Sequence, residues 1–148
     1  MRTFGFNEFL FILEAAKWTV ALSLIAFAGG TLGGLIVALS RTSHNALARA
    51  ASGVFIQIFQ GTPLLLQLFL VFFGAPVLGL DINPWVAAGV ALVLNSSAFL
   101  GEIWRGCIQA IPAGQWEAAQ ALSLPYVARM RDVILPQAFK IALAPTVG

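Results

Sequence analysis

The sequence predicts an all-α integral membrane protein, and two observations carry that class. The first is composition: of 148 residues, 59% are hydrophobic and 9% charged, whereas a soluble domain carries about 25% charged residues. With 8 Lys and Arg and 6 Asp and Glu, the chain has too few charges to cover a water-soluble surface of this size. A soluble enzyme is thereby excluded. So is a disordered chain, which is poor in apolar residues. The 14 Gly and single Cys fit neither a collagen-like nor a disulfide-rich class. The second observation is spacing. Uncharged windows of 23, 31 and 20 residues separate Lys17 from Arg41, Arg49 from Asp81, and Asp81 from Glu102. A spanning helix needs about 20 mostly apolar residues.

The first window predicts a span over 18–39, preceded by an N-terminal segment, 1–17. Its apolar stretch exceeds the roughly 7–15 residues of a signal-peptide core, and further spans follow. Gly29, Gly30, Gly33 and Gly34 form overlapping small-xxx-small pairs that let another helix backbone approach closely. Ordinary packing and a gating contact both fit them.

The second window is too long for one simple span and too short for two. Gln60-Gly61-Thr62-Pro63 divides it, with Thr62 placed to cap a helix and Pro63 to open it. A second span is expected over 63–80. The segment before it, 45–59, suits a helix lying in the membrane interface. Alternatively, it lengthens the second span with a tilt.

A polar turn, 79–84, leads to a third span over 85–108. Asn95, Ser96 and Ser97 fall at its middle and Gln67 lies in the second span. Such side chains either bond across helices or line a water-filled route. Glu102 and Arg105 near its end are one turn apart and can pair. Glu102 is otherwise a functional candidate, as any ionisable residue within a span is. With the N-terminus outside, Arg41, Arg49, Arg105, Arg129, Arg131 and Lys140 fall at the inner side, against Arg2 and Lys17 outside. That bias predicts an outward N-terminus.

Residues 112–135 differ in character. Ala113–Leu122 is rich in good helix formers, Ser123-Leu124-Pro125 interrupts it, and apolar residues recur at 126, 127, 130, 133 and 134 with helical spacing. Two short inner helices joined at Ser123 are expected, with Ser123 capping the second and Pro136 breaking the run before a last apolar stretch. This is either a solvated hairpin or a docking element for a cytoplasmic partner. The 13 residues of 136–148 cover roughly 20 Å as a helix, against about 30 Å of hydrocarbon. They read as a partial fourth span and the chain as a C-terminally truncated one. One His and one Cys give no metal site. Cys107 reads as a small buried residue. The few basic residues form no stripe for nucleic acid.

Glu117-Ala118-Ala119, then position 123, then Val133-Ile134-Leu135-Pro136 resembles the EAA signature of ABC importer permeases. The context Ile111-Pro112-Ala113-Gly114-Gln115-Trp116 is similar to the polar amino acid branch, the histidine, glutamine, arginine and opine permeases. Gly61-Thr62-Pro63-Leu64, Asn95-Ser96 with Glu102-Ile103-Trp104-Arg105-Gly106, and Leu135-Pro136-Gln137-Ala138 resemble that branch as well. The signature usually has Gly where this chain has Ser123, and often a basic residue where it has Gln60.

The resemblance implies a type I ABC importer transmembrane fold over 18–148, with 112–135 as the coupling segment. It implies a bacterial inner membrane protein that translocates a polar amino acid or opine. Its expected partners are a cytoplasmic ABC ATPase subunit, a second permease subunit, an extracytoplasmic solute-binding protein and membrane lipid. Glu117, Ala118, Ala119, Ser123, Leu135 and Pro136 would couple to the ATPase. The residues independently agree that ATP belongs to a partner, because the chain contains no Gly-x-x-x-x-Gly-Lys-Ser/Thr phosphate loop. The chain is therefore expected to be neither an enzyme nor a cofactor binder. A non-transporting membrane scaffold with a docking hairpin is the alternative. An ion-coupled transporter would need internal repeats, which are not seen. A membrane enzyme would need a His/Asp/Glu constellation, and none is evident.

Overall fold

The computed structural model describes residues 5–147, and every described element is helical. Arg2, counted in the orientation argument, and Gly148 lie outside the described residues. The helices are α1 (Phe6–Thr42), α2 (Ala46–Gly61), α3 (Leu64–Val77), α4 (Pro84–Gln109), α5 (Ala113–Ala121), α6 (Tyr126–Ala128) and α7 (Leu135–Val147). A π-helical stretch, Arg129–Ile134, joins α6 to α7.

Helix α1 starts at Phe6, well ahead of Trp18, because neither Gly nor Pro interrupts the chain between Phe6 and Ala28. Glu8 sits in its first turn and accepts a hydrogen bond from the Gly5 N–H at 3.0 Å. Glu14 and Lys17 pair one turn apart at 2.8 Å. Its 37 residues reach about 55 Å at 1.5 Å each.

Two helices, within 8–42 and 84–109, are long and apolar enough to cross a membrane. Helices α2 and α3 together make a third candidate, bent by 105° at their junction. That bend removes the option of α2 as a straight, tilted extension of the second span. By themselves the 14 residues of α3 cover about 21 Å, against roughly 30 Å of hydrocarbon.

The α2–α3 bend is held by Gln67. Its buried amide donates to Phe59 O at 2.8 Å, Thr62 O at 3.0 Å and Thr62 Oγ1 at 2.9 Å. Thr62 does not cap α3 as expected. It ends α2, and its hydroxyl donates back to Ile58 O at 2.8 Å. Pro63 is the residue before α3 and offers no side-chain cap. Thr62 is therefore drawn to the helix behind it, where a free carbonyl needs a donor.

Helix α1 lies along α4 on a seam of small residues. A Cβ built on Gly30 would sit 2.5 Å from Ser96 Cβ, and one on Gly101 would sit 2.6 Å from Val37 Cγ1. Gly29 meets Val93, Gly33 meets Ser97, and Gly34 meets Leu100. The four α1 glycines thus serve packing within this chain, and the close approach leaves no room for larger residues. Farther along, Ala38 of α1 joins Cys107, Ile108 and Ile111 of the α4 end, Met130 and Ile134 of the π stretch, and Ala138 and Ala142 of α7 in one buried cluster. This cluster ties 112–135 to the membrane helices.

Two expectations for 112–135 are corrected. Ser123 does not cap the second helix. It takes a left-handed conformation, φ 55°, at the end of α5. The Ser123 N–H donates to Gln120 O at 2.8 Å and the Leu124 N–H to Ala119 O at 3.3 Å. These are the two bonds of a Schellman motif, which satisfy the last carbonyls of α5. Pro136 does not break the chain either, because α6, the π stretch and α7 run on without interruption. A proline ring clashes with the carbonyl four residues back in an α-helix. The wider π turn immediately before Pro136 re-spaces those carbonyls, so the helix passes through the proline.

Candidate functional site

Two groups of residues concentrate the polar chemistry. The first is the hairpin of residues 112–135. Helix α5 is short, with Ala119 buried against the chain at 1% exposure while Glu117 and Ala118 face outward. Ala119 is accordingly a packing residue, and the outward surface includes Glu117, Ala118, Gln120, Ala121, Leu122 and Ser123. Leu122 and Val127 are both strongly exposed. Gln137 donates to Gln115 Oε1 at 3.1 Å and to Val133 O at 2.8 Å, fastening α5 to the helix after it. Leu135 packs against the buried cluster and Pro136 is exposed. Of the expected coupling residues, Glu117, Ala118, Ser123 and Pro136 are therefore surface groups, and Ala119 and Leu135 support them from behind.

Arg131 and Asp132 form a two-pronged pair on the same hairpin, at 2.7 and 3.0 Å. The hydrogen bond from Arg131 holds the Asp132 carboxyl below the usual carboxylate range.

The second group lies on α4. Asn95 donates to Gln67 Oε1 at 3.2 Å, so its amide serves the α2–α3 bend. Ser97 is buried against Gly33, and its hydroxyl donates back to Val93 O at 2.7 Å. Asn95 and Ser96 nevertheless line an open groove of about 370 Å³ with Ser23, Phe27 and Phe99. Glu102 and Arg105 pair through both carboxylate oxygens, with Arg105 Nε at 2.9 Å from Oε2. Arg105 also reaches Gln109. Gln67 is enclosed by the bend and does not face the groove.

Gln60, which stands where a basic residue is usual, reaches Ala98 O of α4 at 3.3 Å. Trp104 Nε1–H donates to Thr146 Oγ1 at 2.9 Å, locking α7 onto α4. Sequence reasoning named Trp104 only as part of a motif and did not pair it with Thr146, because residues 42 apart carry no local signal of meeting. No group of His, Cys, Asp and Glu that could hold a metal ion occurs among the described residues.

Comparison with known proteins agrees with this arrangement. The chain is 38% identical over 139 residues to the probable amino-acid ABC transporter permease protein YckA of Bacillus subtilis (strain 168), covering 94% of this chain and 62% of that one. It is 43% identical over 131 residues to the arginine transport system permease protein ArtQ of the same organism, covering 88% of this chain and 60% of that one. A solved structure described as an amino acid ABC transporter with histidines superposes with a TM-score of 0.77 at 34% identity, covering 98% of this chain and 70% of the other. The chain thus spans somewhat less than two thirds of the length of these curated relatives. Residues 30–147 match the sequence profile of the binding-protein-dependent transport system inner membrane component, and the chain belongs to that family.

Proposed function

We propose that this chain forms part of the permease subunit of an ABC importer that carries a polar amino acid, or an opine, across the inner membrane. The observation that carries the reading is the inner hairpin. A short helix presents Glu117 and Ala118 outward while a buried cluster ties it to three membrane-embedded elements. A force applied at that helix is transmitted to α1, α4 and α7 rather than absorbed in a loop. Glu117 offers a carboxylate for a basic residue of a cytoplasmic ATPase, and Ala118 a small surface for close approach.

In this reading the N-terminus lies outside. Helix α1, the bent α2–α3 pair and α4 cross the membrane as three spans, and α7 begins a fourth. ATP is bound and hydrolysed by the ATPase partner, a second permease subunit completes the pathway, and an extracytoplasmic binding protein delivers the solute. Asn95 and Ser96, at the open groove, contribute polar groups to the route. Glu102 is held by Arg105 as a fixed end to α4. The similarity to an amino-acid permease and an arginine permease supports an amino acid as cargo.

The test is co-purification of the ATPase from detergent-solubilised membranes, paired with ATP-dependent uptake of labelled amino acids. Wild type should retain the ATPase. Glu117→Lys and Ala118→Trp should lose it while still inserting in the membrane. Retention without any uptake would favour the scaffold reading. If the ATPase never associates, the coupling assignment of 112–135 fails.

A further inference from the structure

The end of α1 and the start of α2 gather basic groups that have no salt-bridge partner, and the carboxylate whose charge reaches Arg41, that of Glu102, is already paired with Arg105. No acidic residue occurs between Glu14 and Asp81. Among the described residues, Arg41, Arg49 and Arg129 take part in no salt bridge, whereas Lys17, Arg105 and Arg131 do. Arg41 and Arg49 lie close together: Arg41 Nη1 donates to Arg49 O at 3.3 Å, and Arg49 Nη1 donates to Ser43 O at 2.9 Å. The Arg41 guanidinium rests over Gly53 of α2. Tyr126, one turn before Arg129, places its hydroxyl 3.4 Å from Thr42 O.

Arg41 Nε, Ser43 Oγ and Arg129 Nε are buried and have no acceptor in the chain. A buried donor without an acceptor costs about 1–3 kcal/mol. All three atoms lie beneath the surface, so an oxygen from outside the chain reaches this region through the remaining guanidinium nitrogens, chiefly those of the exposed Arg49.

The position of the cluster identifies the source. Trp18 of α1 and Trp85 of α4 stack at 4.6 Å between ring centroids, and tryptophan concentrates at membrane–water interfaces. Arg41 lies 23 residues farther along α1, about 35 Å away, close to the roughly 30 Å of a hydrocarbon core. The arginines therefore sit at the opposite headgroup layer. Helix α2 agrees, because it buries Ser52 and Ile56 on one side and exposes Leu47, Val54 and Ile58 on the other, as a helix lying on acyl chains would.

We propose that Arg41 and Arg49, with Ser43 between them, bind the phosphate of an anionic phospholipid in the inner leaflet. The phosphate oxygens would accept from the outer guanidinium nitrogens of Arg41 and Arg49, whose charges offset the lipid's charge. The inner-leaflet assignment rests on the proposed orientation. The site itself needs only the membrane setting and not transport, so it can stand or fall separately from uptake.

The experiment is native mass spectrometry of the detergent-purified chain titrated with phosphatidylglycerol, phosphatidylcholine or inorganic phosphate. Wild type should retain phosphatidylglycerol in preference to phosphatidylcholine. Arg41→Gln and Arg49→Gln should each lower that retention roughly fivefold. Ser43→Ala should lower it less, and Arg131→Gln, whose guanidinium is already paired, should leave it unchanged. Arg41→Lys keeps the charge while removing the planar guanidinium fork and should show an intermediate loss. Circular dichroism of each variant checks that the helices persist. Equal retention of the two lipids, or unchanged retention in folded Arg41→Gln and Arg49→Gln, overturns the proposal. Displacement of the lipid by millimolar inorganic phosphate also overturns it, in favour of a soluble anion. Loss of lipid on adding the ATPase points to a protein carboxylate as the acceptor and overturns it as well.

Discussion

Ser123 holds a left-handed backbone that costs a non-glycine residue about 1–2 kcal/mol. It is the only non-glycine residue with positive φ among those described. Ser123→Gly is expected to raise the thermal midpoint in detergent, and Ser123→Val to lower it. Gln67 is the opposite case, a polar side chain with all its capacity used. Gln67→Leu would leave Thr62 O without its side-chain donor and Phe59 O with only the long 3.5 Å bond from Asn95 at the bend, at a cost of about 1–3 kcal/mol for a buried group left unpaired. Its thermal midpoint should fall well below that of Gln57→Leu, a change at an exposed position of α2. At Asp132 the folded-state carboxyl titrates below its ordinary range because Arg131 binds the charged form. The pair's contribution is present above the ordinary carboxylate range and lost as pH falls through the depressed folded value. In Arg131→Gln the Asp132 titration midpoint, followed by NMR, should rise toward the ordinary value.

At the scale of elements, the contact between α1 and α4 is the main joint of the fold. It depends on backbones approaching so closely that added carbons have no space. Gly30→Val and Gly101→Leu should each force the helices apart and reduce the yield of folded, detergent-stable protein, whereas Gly74→Ala, where an added Cβ meets nothing within 4 Å, should not. The π stretch is a second element-scale feature. It lets one continuous helix carry both the return of the 112–135 hairpin and the start of α7 across Pro136. The periodicity of 126–134 showed a helix with one apolar stripe. Its continuity through the proline was not legible, because sequence spacing alone does not reveal a local change in helical pitch.

For the whole molecule, the proposed orientation makes opposite predictions for two turns. In a Cys107→Ala background, a cysteine placed by Asn83→Cys should react with a membrane-impermeant maleimide from outside intact cells. One placed by Ser123→Cys should react only after the membrane is opened. The reverse pattern would invert the topology and move the arginine cluster to the outer leaflet. The joint between hairpin and membrane helices also sets how the parts move together. Ile108 and Ile134 are its largest fully buried side chains, and Ile134→Ala should loosen the hairpin of 112–135 while leaving the α1–α4 joint intact. Faster hydrogen exchange confined to 113–134 would show this.

The membrane class, the glycine seam, the Glu102–Arg105 pair and the family were legible in the sequence. Each rests on composition, on residues a turn apart or on contiguous motifs, and such signals survive in a linear string. The fate of Thr62, Ser123 and Pro136 was decided by tertiary structure, because each has two local roles and the choice depends on which carbonyls the surrounding helices leave free. The burial of Ala119 behind Glu117 and Ala118, the enclosure of Gln67 in the α2–α3 bend and the convergence of unpaired arginines at the end of α1 arise from contacts between distant segments. Propensity and periodicity act within one helix, and these arrangements exist only between helices.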